Sequence, residues 1–219
     1  LVIEFGCNDG VLLGPLADQN INTLIGVDPA SNVVQTINDS RITIINDFFN
    51  EVVSENIVLE YGKADMVLAN NVYAHIPDIK GITRAINNVL SDDGVFIFEV
   101  HYLGKIINEL QYDMIYHEHL YYHSLLSLEN HFERYDMVVF DVKPMPIHAG
   151  SMRFYVCRNG SSHSLLESEQ VRSLRKEELK NGFNRAETFS RFAEKIENTK
   201  DNLMDLLENI KKEGKSVVG

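Results

Sequence analysis

The sequence predicts an α/β fold in which a mostly parallel sheet alternates with helices and ends in an antiparallel strand. Three observations carry this. Five short runs rich in Val, Ile and Leu alternate with helix-forming stretches up to residue 100. The first run passes through a glycine turn directly into a helix, the opening of a nucleotide-binding α/β unit. The last two runs, Met137–Val142 and Ser151–Val156, have one loop between them and no crossover helix, so they pair antiparallel.

Leu1–Phe5 is apolar and β-branched, as a central parallel strand should be. It runs into Gly6-Cys7-Asn8-Asp9-Gly10, with a helix beginning near Val11. Gly6 permits a tight turn and close approach of backbone to ligand, and Gly10 lets the helix pack near the loop. Asn8 stands where a middle glycine is common, so the turn departs from G-x-G-x-x-G and is a weak signal alone. The second strand, Thr23–Val27, ends at Asp28, about 20 residues past the glycine turn, where an acidic group binds ribose hydroxyls. Because Pro29 follows it, Asp28 also suits a helix N-cap. The third strand, Ile42–Ile45, leads to Asp47, Phe48 and Phe49: Asp47 is placed to accept from an adenine amino group while Phe48 or Phe49 covers the ring. The fourth, Ala64–Ala69, leads to Asn70, Asn71, Tyr73 and His75, at the carboxyl edge where open α/β sheets bind ligands. Ile82–Leu90 reads as an amphipathic helix, Ser91–Gly94 as a turn and Val95–Val100 as the fifth strand.

The bulk numbers bound the function. A net charge of −12 argues against a nucleic-acid partner, since a phosphate backbone needs a basic face. Two distant cysteines, Cys7 and Cys157, have no metal spacing and suit a reduced, cytoplasmic setting. The sequence has no apolar run long enough to span a bilayer and no secretory signal. A strand with no lead-in at Leu1 and an incipient strand at Ser216–Gly219 suggest a natural chain that extends both ways.

Tyr112–His123 is the most informative stretch. Its twelve residues include four tyrosines, three histidines and two carboxylates, groups able to take, give or relay a proton near neutral pH. It reads as a catalytic loop running into a helix over Leu120–Tyr135. A metal site is disfavoured: His119 and His123 are at i, i+4, but His-Glu-x-x-His would need histidine at position 121, where Tyr121 stands.

Strands alternating with helices, then a terminal hairpin, are the arrangement of Rossmann-like class I methyltransferases rather than dehydrogenases. The segments Glu4–Gly10, Ala69–Asp78, Tyr116–His119 and Ile147–Arg153 together resemble the S-adenosylmethionine-dependent sugar C-methyltransferases, which act at C3 of nucleotide-linked 4-keto-deoxysugars. The resemblance implies S-adenosylmethionine over Gly6–Gly10, with Asp28 on its ribose and Asn70 and Asn71 near its methionine end. It implies Tyr116 and His119 as the proton-transfer groups, with Glu118 and His75 in the same site. Glu118 is then expected to orient the His119 ring, and Tyr116 or His75 to donate to the enolate oxygen. It also implies an N-terminal zinc-binding domain and a C-terminal domain beyond this chain. Residues 1–160 read as the methyltransferase core and 161–219 as a helical segment that starts a second domain and carries no catalytic group. Phe183, Phe189, Phe192, Ile196, Leu203, Leu206, Leu207 and Ile210 are expected to line one face of its two helices. Competing readings are an O- or N-methyltransferase of a small molecule, which has less need of a base, and a non-catalytic module that binds S-adenosylmethionine or a nucleotide, which has no need of the proton-transfer cluster.

Overall fold

The computed structural model describes residues 1–19 and 21–218. Its elements are β1 (Val2–Phe5), α1 (Leu13–Ala17), β2 (Leu24–Val27), α2 (Ser31–Val34), β3 (Ile42–Ile45), α3 (Glu51–Tyr61), β4 (Ala64–Asn70), α4 (Ile79–Val89), β5 (Leu90–His101), α5 (Leu103–Asn108), α6 (Leu125–Glu133), β6 (Met137–Met145), β7 (Ser151–Arg158), α7 (Glu169–Asn181) and α8 (Ala186–Lys212). One sheet runs β3-β2-β1-β4-β5-β7-β6. The first five strands are parallel to one another, and β7 lies antiparallel between β5 and β6. The chain leaves β1 toward β2 and β3, then returns to place β4 on the other side of β1. That reversal opens a crevice beyond the carboxyl ends of β1 and β4.

Val, Ile and Phe make these strands because both faces of the sheet are covered, leaving no solvent face for polar alternation. One face packs an aromatic core: Phe5 stacks on Phe49 with centroids 4.9 Å apart, and Tyr73, Phe96, Phe98, Phe132 and Phe154 continue it across the sheet. Phe49 is therefore a core residue, and Phe48 alone of the pair is exposed. A smaller cluster around Leu13, Leu24 and Leu68 covers the other face near α1.

Four sequence expectations change. Ser91–Gly94 is a bulge within β5, because Leu90 pairs with Ala64 and Val95 with Met66. The helix expected from Ile82 begins at Ile79, where the Asp78 carboxylate accepts from the Gly81 amide at 2.9 Å. The helix expected from Leu120 begins at Leu125. The amides of Leu120 and Tyr121 donate instead to Ala74 O, and Ser124 and Ser127 form a reciprocal capping box that sets the start. Ser216, Val217 and Val218 are exposed and form no strand, since a strand exists only against a neighbour. The apolar positions of 161–219 divide between a buried Phe183, in the turn after α7, and the long α8. There Phe192 packs on the core while Leu203 and Leu206 stay exposed.

Candidate active site

A cavity of about 520 Å³ occupies the crevice beyond β1 and β4. Gly6 forms one wall. Its φ is +69°, and a Cβ there would stand 2.3 Å from Val72 Cγ2, so only glycine brings the backbone this close. Asn8 sits at φ 51°, a left-handed conformation asparagine tolerates better than most residues, and so serves in place of a glycine. Asp28 is 9% exposed, with Oδ2 accepting from the Asn8 amide at 3.0 Å and Oδ1 from Ala30 at 2.8 Å. It thus ties the glycine loop to the start of α2 while facing the cavity. Asn70, Asn71, Phe48 and His75 also line it.

Gly10 and Asp47 do not line the cavity. Gly10, at φ +80°, closes the loop through its amide to Cys7 O, and a Cβ there would meet Ile37. The exposed Asp47 accepts from the Phe48 amide at 2.7 Å, which turns a ligand-facing expectation into a local turn contact. Beneath the glycine loop, burial and then the charge of Asp28 push the Glu4 carboxyl up to about 8.

The proton-transfer candidates meet at the rim. His75 follows β4 in a single 3₁₀ turn, and its ring lies 4.9 Å from that of His119, centroid to centroid. His119 Nε2 is 3.3 Å from the Tyr116 hydroxyl and Nδ1 is 3.3 Å from Met114 O. A carbonyl accepts only, so Met114 assigns the proton to Nδ1 and leaves Nε2 a free base toward Tyr116. His75 Nδ1 donates to Glu118 O at 2.8 Å, which by the same argument leaves its Nε2 bare. Neutral His75 therefore offers an acceptor rather than a donor. The expectation that the Glu118 carboxylate orients His119 is corrected: that side chain is exposed, and the orienting acceptor is the Met114 carbonyl. Tyr122 braces the loop, accepting from the Tyr116 amide at 3.2 Å and donating to Met114 O at 3.3 Å. His123 points away into the aromatic core 5.6 Å from Tyr73, where burial holds it down to about 4.

Sequence reasoning missed a second brace. His101, at the end of β5, bonds through Nε2 to Gln111 Oε1 at 3.0 Å, and Gln111 Nε2 donates to Ala149 O at 3.0 Å. Burial holds His101 below the ordinary imidazole range, against the Gln111 bond. This chain joins the Tyr116–His119 loop to the β6–β7 turn, where His148, Ala149 and Gly150 all have positive φ. Histidine at a strand end gave a signal for His101; nothing local marked Gln111.

Residues 1–142 match the methyltransferase domain family, and residues 146–219 match the C-methyltransferase C-terminal domain. The chain belongs to the methyltransferase family. The methyltransferase is 33% identical over 219 residues to the C-methyltransferase NovU of Streptomyces niveus, a match of all this chain to 51% of that protein. It thus spans about half the length of the curated relative it matches. Among solved structures, the methyltransferase resembles an S-adenosylmethionine-dependent methyltransferase from Clostridium acetobutylicum ATCC 824 (TM-score 0.56, 13% identity, 73% of this chain and 84% of that one). It also resembles the magnesium protoporphyrin IX methyltransferase ChlM of Synechocystis PCC 6803 with bound SAH (TM-score 0.53, 15% identity, 72% of this chain and 74% of that one). These likenesses establish a Rossmann-like class I methyltransferase fold. Among the described residues, no helix of the methyltransferase is long and apolar enough to cross a membrane.

Proposed function

We propose that this methyltransferase uses S-adenosylmethionine to methylate carbon in a nucleotide-linked 4-keto-deoxysugar. The observation that carries the reading is the meeting of His75, a cavity-lining residue, with the Tyr116–His119 pair at the same rim. A methyltransferase acting on oxygen or nitrogen has less need of such a cluster, because those atoms carry lone pairs. A carbon beside a ketone becomes a nucleophile only when its proton is removed.

The cavity fits the cofactor. Gly6 leaves room that a Cβ would fill, Asp28 offers a carboxylate where two ribose hydroxyls need acceptors, and Phe48 presents an exposed ring beside it. When bound, S-adenosylmethionine supplies an electrophilic methyl group. The chain's own residues do the rest. His119 Nε2, left bare by the Nδ1 bond to Met114 O, accepts the proton from the sugar carbon, directly or through the Tyr116 hydroxyl. The electron pair moves onto the ketone oxygen, to which the Tyr116 O–H turns as donor once His119 Nε2 has taken up the proton. Asn70 and Asn71 hold the methionine end of the cavity. These residues would hold the sugar carbon against the bound cofactor's methyl group. The reading includes a cytoplasmic protein with no nucleic-acid or membrane partner, and a division into a 1–160 core and a 161–219 segment. It includes N-terminal zinc-binding and C-terminal domains in the whole protein.

The test is a panel of nucleotide-linked 4-keto-sugars, incubated with the whole protein and S-adenosylmethionine and read by mass spectrometry. A gain of one methyl whose proton and carbon NMR shifts place it on a ring carbon marks a C–C bond and supports the reading. A methyl group on oxygen or nitrogen, or cofactor binding with no transfer, overturns it.

A further inference from the structure

The loop that carries Tyr116 and His119 leaves the sheet at Tyr102 and rejoins the fold at Leu125. Its two ends are drawn together: Tyr102 bridges His123, and the Leu103 amide donates to His123 O at 3.0 Å. At that junction lies one carboxylate from another part of the chain. Glu178, on α7, is 0% exposed. Its Oε1 accepts from the Tyr102 hydroxyl at 2.8 Å and from the Leu125 amide at 2.7 Å, and its Oε2 accepts from the Leu126 amide at 2.9 Å. Leu125 and Leu126 open α6, so the negative charge also sits at the favourable end of that helix.

An isolated buried carboxylate is costly, and it persists only where donors satisfy it. Among the described residues, every donor to the Glu178 carboxylate belongs to one or the other end of the site loop. Tyr102 stands at the exit from β5, and Leu125 and Leu126 stand at the re-entry. Burial raises the Glu178 carboxyl above its ordinary range, while the two amides and the tyrosine hydroxyl oppose that rise. Three donors and no acceptor match an ionised group.

We propose that Glu178 is a positioning residue that clasps both ends of the Tyr116–His119 loop, so that the helical segment sets where the proton-transfer groups stand over the cavity. The catalytic part of this inference rests on the proposed function; the clasp itself does not. A misplacement of about 1 Å in a proton-transfer group can lower turnover about 10²-fold without altering cofactor binding.

The experiment is hydrogen–deuterium exchange on the full chain with S-adenosylhomocysteine bound, comparing wild type, Glu178→Gln, Tyr102→Phe and Arg175→Met. Gln presents an N–H₂ to one of the two amides and so opens the clasp while keeping its size. Arg175 pairs with both oxygens of Glu129 across the same α6–α7 contact and touches neither end of the loop, so its variant controls for ordinary loss of packing. The expected result is faster exchange over residues 110–126 in Glu178→Gln, by about tenfold or more, with the sheet amides unchanged. Tyr102→Phe, which removes one bond of the three, should give a smaller change in the same residues and serves if Glu178→Gln does not fold. S-adenosylhomocysteine affinity should stay within about twofold, and kcat should fall about 10–10²-fold with little change in KM for the cofactor. Loop exchange at the wild-type rate in both clasp variants overturns the proposal. So does equal acceleration of the loop by Arg175→Met. Should wild type methylate no keto-sugar, the proposed function fails, and the exchange data still decide the clasp.

Discussion

Asp28 engages both carboxylate oxygens with backbone amides and still faces the cavity, so it has two duties. Asp28→Ala should remove an acceptor for the ribose and also loosen the glycine loop from α2. Cofactor affinity should fall by tenfold or more, about 1.4 kcal/mol or above. Calorimetry showing unchanged affinity would take Asp28 out of the site. The rim residues give a sharper test. His119→Asn retains polarity and much of the size but loses the base, so binding should survive and the rate should drop about 10²–10⁴-fold. Exchange of the sugar C3 proton with deuterated solvent, with S-adenosylhomocysteine bound, isolates that step. Wild type should exchange and His119→Asn should not. Exchange lost in Tyr116→Phe but kept in His119→Asn would make Tyr116 the base. Normal exchange in both would move the proton transfer elsewhere, with His75 next. The residue types were legible in the sequence because few solvated surfaces concentrate Tyr and His. Their roles were less so. Met114 carbonyl, rather than Glu118, fixes the His119 tautomer, and a backbone atom carries no side-chain signature.

At the scale of elements, local chemistry decided what could be read. Strand positions followed from apolar runs that need no partner to be recognised. The start of α6 did not, because Leu120 and Tyr121 look helical but donate to Ala74 O across the fold. The start signal was nevertheless present as Ser124 followed three residues later by Ser127. Ser124→Ala removes that capping box from a buried position and should cost about 1 kcal/mol, with urea denaturation as the measure. A shift under about 0.3 kcal/mol would mean that the Glu178 carboxylate holds the helix end by itself. Glu178 was beyond sequence reasoning: one glutamate among many in a charged segment has no local mark of burial, and its donors lie 76, 53 and 52 residues away.

For the whole molecule, two buried groups set opposite limits on pH stability. Glu4 is pushed from an ordinary 4.5 up to about 8, so the unfolded chain ionises it first and stability falls as pH rises across that window. His123 is pushed from 6.5 down to about 4, so the unfolded chain takes the proton first and stability falls as pH drops across that window. The two slopes oppose each other where the windows overlap, which predicts a broad optimum in mildly acidic solution. Urea midpoints measured without cofactor should show Glu4→Gln reducing the alkaline decline and His123→Phe the acid one; a Glu4→Gln profile that declines above neutrality as steeply as wild type would refute the first assignment. The sheet was legible as a whole except for where β7 goes: local sequence told that it pairs with β6, and only the tertiary fold shows it slipping between β6 and β5. The meeting of Tyr102 with His123 has a consequence for how such a protein changes over generations. Residues whose backbones already touch bracket the whole proton-transfer loop, so an insertion, a deletion or an exchanged loop between them leaves the two anchor points in register. The chemistry of the site can then be rewritten between those two anchors while the glycine loop, Asp28 and the strands beneath them are inherited unchanged.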